Sequence, residues 1–255
     1  MDKKRITAGL AGEDALAMAR LCDLADRCVR TGVPLFSGFC SPRIQQLAAA
    51  RIRGDFTLEG YGGYAQAERQ MLRFSPFDSR AADYPICAVC AAAGDGTPLS
   101  HRDYLGAALG LGLTREVIGD IVIQERGAIF FCTPPAGQLL EQELKAAGRT
   151  PIACTPVADV DSLVIERKFE TAVRTVSSMR LDCVVSAMTG KSRGESAQLI
   201  EKGLVCVNYE VQTACAKPVP PDAVIAVRGY GKARIAANGE RSKKGRIHIT
   251  VSKYV

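Results

Sequence analysis

Residues Arg180 to Val211, RLDCVVSAMTGKSRGESAQLIEKGLVCVNYEV, constrain the fold of this chain more than any other stretch. Leu181, Val184, Val185 and Met188 recur at helical offsets, which leaves Arg180 and Asp182 off the buried face. Gly190 breaks that helix. Ser192, with Glu195 three residues on, forms a capping box for a second helix running to about Lys202, and Gly203 takes the usual C-terminal position. Beyond it Val205, Val207, Tyr209 and Val211 alternate with Cys206, Asn208 and Glu210, the pattern of a hairpin turning near Asn208.

Charge concentrates around this stretch. Ser177 to Val255 holds 13 Lys and Arg against 6 Asp and Glu, a net of +7, while the rest of the chain carries −1. A localised positive field favours a polyanion through phosphate neutralisation and counterion release, and nucleic acid is the first candidate. A membrane surface is not expected, because no basic amphipathic helix with large apolar residues accompanies the charge. The sequence has neither a run of about 18 apolar residues nor an apolar segment near Met1 long enough for a signal peptide, so a cytoplasmic setting is expected. In that setting the 10 cysteines read as reduced thiols, mostly small buried residues.

The remaining chain reads in order. Leu16, Ala19, Leu21, Leu24 and Val29 predict an amphipathic helix over Glu13 to Arg30, stopped by Thr31, Gly32 and Pro34. Ser41 and Pro42 start a second helix to about Arg51. Gly54 to Gly63 is turn-rich, and the periodicity of Ala65 to Phe74 fits helix or strand. From Pro85 the order is a strand to Ala91, a helix capped by Ser100 and Asp103 to about Leu111, strands Asp120 to Gln124 and Ala128 to Cys132, a helix Pro135 to Ala147, and a strand Pro151 to Val157. That is β-α-β-β-α-β, the split βαβ layout of ferredoxin-like and RRM-like domains, without an RNP-type aromatic signature. Asp159 to Ser178 links onward, and the spacing of Phe169, Val173 and Val176 among polar residues suits a further strand. Near the C-terminus Val224 to Arg228 and Ala233 to Ala237 flank a Gly229-Tyr230-Gly231 turn, and Ile247, Ile249 and Val251 mark a last strand.

The first stretch resembles the S4 RNA-binding domain, whose pattern is RLD, a spacer, SR, an A-x-x-L-I helix, then G-x-V-x-V-N. The matching residues are Arg180, Leu181, Asp182, Ser192, Arg193, Ala197, Leu199, Ile200, Gly203, Val205, Val207 and Asn208. Tyr209 departs from the glycine common at the second turn position, and Ala223 follows Asp222 where a Gly-Asp pair is common. Gly62 to Leu72, Ser100 to Ile121, Val227 to Ile235 and Lys243 to Val255 extend the similarity to YlmH-type proteins, in which an S4 domain follows an RRM-like middle domain. The resemblance implies an α+β chain: an N-terminal mainly helical region (1–80), an RRM-like domain (81–160), a linker (161–176) and a C-terminal αL-type S4 domain (177–255). It further implies a non-enzymatic factor that binds ribosomal RNA of the large subunit, acts on stalled subunits, and has tRNA as a further candidate ligand. A monomer without cofactor or metal is expected. In such relatives the arginines of RLD and SR touch RNA, which carries over to Arg180 and Arg193.

The expected RNA-binding residues are Arg180, Asp182, Lys191, Ser192, Arg193, Lys202, Asn208, Arg228, Tyr230, Lys232 and Arg234, with Lys243, Lys244 and Arg246 extending the patch. The bland reading of Arg180 is a pair with Asp182 or Glu195 on a solvated face, and that of Tyr230 is a locally packed turn aromatic. Other motifs fall away. Gly190-Lys191-Ser192 is no P-loop, since Val185 stands where glycine is needed. His101-Arg102-Asp103 is no kinase loop, since Ala108 replaces the required Asn. Cys87 and Cys90 form a lone C-x-x-C, half a zinc ligand set. An RNA-modifying enzyme with an S4 accessory module, or a structural role in division or assembly, stands as the alternative; a synthase would need a catalytic Asp domain and a methyltransferase a glycine-rich loop.

Overall fold

The computed structural model describes residues 1–77, 83–94, 96–160, 163, 165, 169–241 and 245–254, which leaves Lys243 and Lys244 outside the described residues. The chain divides into two units, Met1–Ile165 and Glu166–Val255.

The first unit opens with α1 (Lys3–Thr7) and α2 (Gly12–Thr31), followed by β1 (Leu35–Cys40), α3 (Pro42–Arg51), β2 (Thr57–Tyr61) and β3 (Gln70–Ser75). Glu13 and Asp14 sit in the first turn of α2 and Arg30 in its last, matching the helix dipole, and Gly32 closes it at φ 67°. The Ser41 hydroxyl accepts from the Ile44 N–H to cap α3. The region expected to be mainly helical also carries an antiparallel sheet in the order β1-β3-β2. Its strands are short, include Gly38 and Gly60, and β1 bulges between Phe36 and Phe39, so no clean alternation marks them locally. Phe74, Met18 and Ile52 are fully buried between sheet and helices.

Next come β4 (Cys87–Ala93), α4 (His101–Gly110), β5 (Ile118–Gln124), β6 (Gly127–Cys132), α5 (Pro134–Glu143), β7 (Ala146–Ala147) and β8 (Thr150–Pro156). The sheet order β5-β6-β4-β8-β7 is the split βαβ arrangement with one added edge hairpin. That hairpin shortens the expected helix: α5 ends at Glu143, and Gly148 at φ 61° turns β7 back onto β8. The capping box of Ser100 and Asp103 starts α4 as expected. Tyr104, Phe130 and Leu140 are fully buried beneath the helices.

The other face of this sheet is covered by the segment before β3. Tyr64 stacks at 4.8 Å on Phe131, while its hydroxyl and the Glu68 and Arg69 N–H groups donate to the Asp120 carboxylate at 2.7, 2.7 and 3.0 Å. Gly63, at φ 96°, lies so close to Phe131 that a Cβ there would sit 2.3 Å from the ring. Cys87 and Cys90, three apart on one strand, point to opposite faces; Cys87 Sγ lies 3.7 Å from Cys132 Sγ instead.

The second unit contains β9 (Phe169–Val176), α6 (Leu181–Thr189), α7 (Arg193–Glu201), β10 (Val205–Val207), β11 (Glu210–Val211), β12 (Ala223–Val227), β13 (Gly231–Arg241) and β14 (Ile247–Tyr254). These strands form one antiparallel sheet in the order β11-β10-β12-β13-β14-β9. Phe169–Val176, inside the stretch expected as linker, pairs with β14 along its whole length and forms one edge of the sheet. Leu181, Val184, Val185 and Ile200 from the helices pack on Ile225, Ile235, Ile249 and Val251.

Asn208 and Tyr209 have φ of 47° and 67°, the two left-handed positions of a two-residue hairpin turn. Asn208 suits this place, and its Oδ1 accepts from the Val224 N–H at 2.9 Å. Asn208→Ala is expected to lower unfolding free energy by about 1 kcal/mol, from the lost acceptor and the unfavourable φ, readable by chemical denaturation. Among the described residues no helix is long and apolar enough to cross a membrane.

Candidate nucleic-acid interface

The site is organised by a buried carboxylate. Arg180 is the N-cap of α6 at ψ 144°, and Asp182 falls in the first turn behind it. Residues 212–219 run back along this turn: the Leu181 and Asp182 N–H groups donate to the Lys217 and Cys215 carbonyls, and Val219 N–H to Met179. Asp182 is thereby buried, with its side chain 7% exposed. A buried carboxylate requires partners. Oδ1 and Oδ2 accept from Arg180 Nε and Nη2, each at 3.2 Å; Oδ2 also accepts from Arg193 Nε at 3.0 Å, and Oδ1 from the Cys183 N–H at 2.9 Å. Arg193 Nη2 lies 2.9 Å from Oδ2. Burial pushes the Asp182 carboxyl up, but the hydrogen bonds from Arg180, Arg193 and Cys183 outweigh it and hold it at about 2.

The two arginines stay open to solvent, their side chains 42% and 57% exposed. Each directs the Nε and Nη2 edge of its guanidinium at Asp182. A guanidinium has five N–H donors, so the Nη1 and Nη2 edge of each remains for a phosphate. The bland expectation for Arg180, a pair with Asp182, is met, and that pair fixes the fork without covering it.

Lys191, in the loop between α6 and α7, joins this side of the unit. Its Nζ lies 3.3 Å from Glu195 Oε1 and 5.4 Å from the centre of the Tyr230 ring. The Tyr230 hydroxyl, and then the Glu195 carboxylate, hold its ammonium above the usual lysine range. Tyr230 thus reaches from the turn between β12 and β13 to the helices. Beside it opens a cleft of about 300 Å3 that Arg174, Met188, Thr189 and Lys253 help to line. Sequence reasoning missed Arg174 and Lys253; their alternation with the inward Val176 and Val251 puts them on the helix side and could have revealed them.

The other expected residues divide. Asp182 is a holder of arginines rather than a contact. Ser192 is a cap: its hydroxyl donates to Glu195 Oε2 at 2.7 Å and accepts from the Glu195 N–H at 3.2 Å. Asn208 shapes the hairpin turn. Lys202 is the exposed C-cap of α7, and Arg228 is exposed at the start of its turn. Arg246 Nη2 donates to the Thr175 carbonyl at 3.1 Å. Lys232 and Arg234 alternate with buried Ala233 and Ile235, so they occupy the face of the sheet opposite the helices, with Arg234 3.4 Å from Asp222. The expected single patch is corrected to Arg180, Arg193, Lys191 and Tyr230 on the helix side, with Lys232 and Arg234 behind the sheet.

Comparison with known proteins fits this geometry. Residues 95–160 match the family model described as "Putative RNA-binding domain in YlmH", and residues 179–225 match the S4 domain. A relative from Bacillus subtilis (strain 168), the ribosome-associated protein quality control protein P2, is 29% identical over 219 residues, covering 84% of this chain and 85% of its own. The solved structure of the cell division protein ylmH from Streptococcus pneumoniae shares the fold at a TM-score of 0.51 and 17% identity, over 58% of this chain and 93% of the other. Residues 95–160 and 179–225 thus carry a YlmH-type RNA-binding domain followed by an S4 domain, and the chain is similar to the YlmH-type S4-domain RNA-binding proteins.

Proposed function

We propose that this protein is a non-enzymatic factor that binds ribosomal RNA on the large ribosomal subunit and acts in quality control of stalled subunits, with tRNA held on such subunits as a further ligand. One observation carries the reading: two exposed guanidinium groups, locked side by side on the buried Asp182 carboxylate, form a preset fork for adjacent phosphates. Preorganisation matters because a surface arginine otherwise loses rotamer freedom on binding. Lys191 adds a third cation, and Tyr230 a ring face beside it. The quality-control role follows the name of the Bacillus subtilis relative, which matches this chain along most of both lengths.

The test is cosedimentation of the purified protein with large subunits across a salt series, followed by crosslinking and mapping of the bound nucleotides. Three cations on phosphates predict a log–log salt slope of about −2 to −3. Crosslinks should map to ribosomal RNA through the α6 and α7 side of the second unit. Binding indifferent to salt, or crosslinks confined to protein, would overturn the proposal.

A further inference from the structure

Register across the second unit's sheet lines up one row of side chains on the face away from the helices. Val211 pairs with Cys206, Cys206 with Ala226 and Ala226 with Lys232; continuing the β13–β14 register sets Lys232 opposite Tyr254, which pairs with Phe169. The row therefore crosses every strand of the sheet. Its members are in contact: Lys232 Nζ stands 4.3 Å from the centre of the Tyr254 ring, and the Phe169 and Tyr254 rings meet edge to face at 5.0 Å. Tyr209, from the hairpin turn, brings a second ring to within 6.0 Å of Lys232 Nζ. Phe169 is 43% exposed, and Val173 and Val211 on the same face are 58% and 59% exposed.

This face has a definite chemistry. Beyond the aromatic row its positions on β14 are His248, Thr250 and Ser252, and on β9 Thr171, Val173 and Thr175; Arg234 and Ala236 continue it on β13. No carboxylate occupies the outward positions of β9, β12 or β14, or of β13 up to Ala236, among the described residues; Asp222, ahead of β12, is paired with Arg234. Small side chains, hydroxyls, two cations, the exposed Phe169 ring and the half-buried Tyr254 ring leave a surface that a planar ligand can approach. Stacked bases require ring faces and a cation for the phosphates, and this row supplies both.

We propose that this outer face is a second RNA-binding surface, which takes unpaired nucleotides by stacking bases on Tyr254 and Phe169 while Lys232 and Arg234 meet the phosphates. It goes beyond the arginine fork and rests on the RNA-binding reading only in sharing the same ligand class. Strands about 4.8 Å apart give the Lys232 to Phe169 row a span of about 10 Å, room for the two or three bases that sheet platforms stack. The protein would thus hold structured RNA on one side of the sheet and a single-stranded segment on the other.

The experiment uses the full-length protein, labelled oligouridylate and purified large subunits. Phe169→Ala with Tyr254→Ala is expected to weaken oligouridylate binding about tenfold or more, given stacking energies per base, and to leave cosedimentation with large subunits unchanged. Phe169→Trp introduces the chain's first tryptophan, since the sequence has none, and its fluorescence should be quenched by saturating oligouridylate. Unaltered oligouridylate affinity in the folded double variant, or a tryptophan signal indifferent to the oligonucleotide, would overturn the second surface. Failure of the unsubstituted protein to cosediment with large subunits, with quenching by oligouridylate retained in the tryptophan variant, would instead count against the proposed function alone.

Discussion

Replacing Arg180 and Arg193 together with alanine is expected to weaken binding to large subunits at least a hundredfold. Each guanidinium offers a charge-assisted fork to a phosphate, the stronger class of hydrogen bond, so losing two of them costs about two orders of magnitude or more in affinity. The log–log salt slope should fall by about 2 at the same time, because two released counterions no longer contribute. The double variant has a second consequence that must be separated from the first. It strands Asp182, a buried carboxylate whose partners are those same arginines. An unpaired buried charge is costly, so the variant should also melt earlier. Adding Asp182→Asn to the double variant removes the stranded charge and should recover part of the stability without recovering RNA binding. Arg180→Lys with Arg193→Lys keeps the charge but not the fork; a loss of about tenfold, with the salt slope preserved, would show that geometry contributes beyond charge. Unchanged cosedimentation by the folded triple variant would remove the arginine fork from the interface.

Parts of this site were legible in the sequence and parts were not, for identifiable physical reasons. The helices α6 and α7, the Ser192 capping box and the turn at Asn208 are set by neighbours within about four residues, so the sequence states them directly. The role of Asp182 is not local. An acidic residue in a first helical turn reads as solvated and dipole-matched. It becomes the buried hub only because residues 212–219 fold back across the turn, where the Lys217 and Cys215 carbonyls accept from the Leu181 and Asp182 N–H groups. The split of the cations across the sheet lies between these cases. Alternation places Lys232 and Arg234 on the face opposite Ala233 and Ile235, but which face carries the helices depends on strand pairing between distant segments. The same holds for β1, β2 and β3, whose partners are remote in sequence and whose glycines interrupt the alternation.

Lowering pH should erase the stabilisation supplied by Asp182 in a narrow acidic window. Its carboxyl is held at about 2 in the folded protein, below the value of about 3.9 expected of an unfolded chain. The folded state therefore binds the proton less readily than the unfolded state. The stabilisation is present in full above about pH 5 and is lost progressively as pH falls through 2 toward 1. A shift of this size corresponds to about 2–3 kcal/mol at most, and solvent around the exposed guanidinium groups reduces it to about 1–2 kcal/mol. Asp182→Asn keeps the size and burial of the side chain but cannot ionise, so the wild-type advantage over this variant in chemical denaturation should be about 1–2 kcal/mol at pH 7, fall below half of that by about pH 2.5 and approach zero near pH 1. Taking the difference cancels the other carboxylates, which titrate alike in both proteins. A wild-type advantage that stays constant from pH 7 to 2.5 would mean that the Asp182 charge does not hold the arginines, and the preset fork would lose its physical basis.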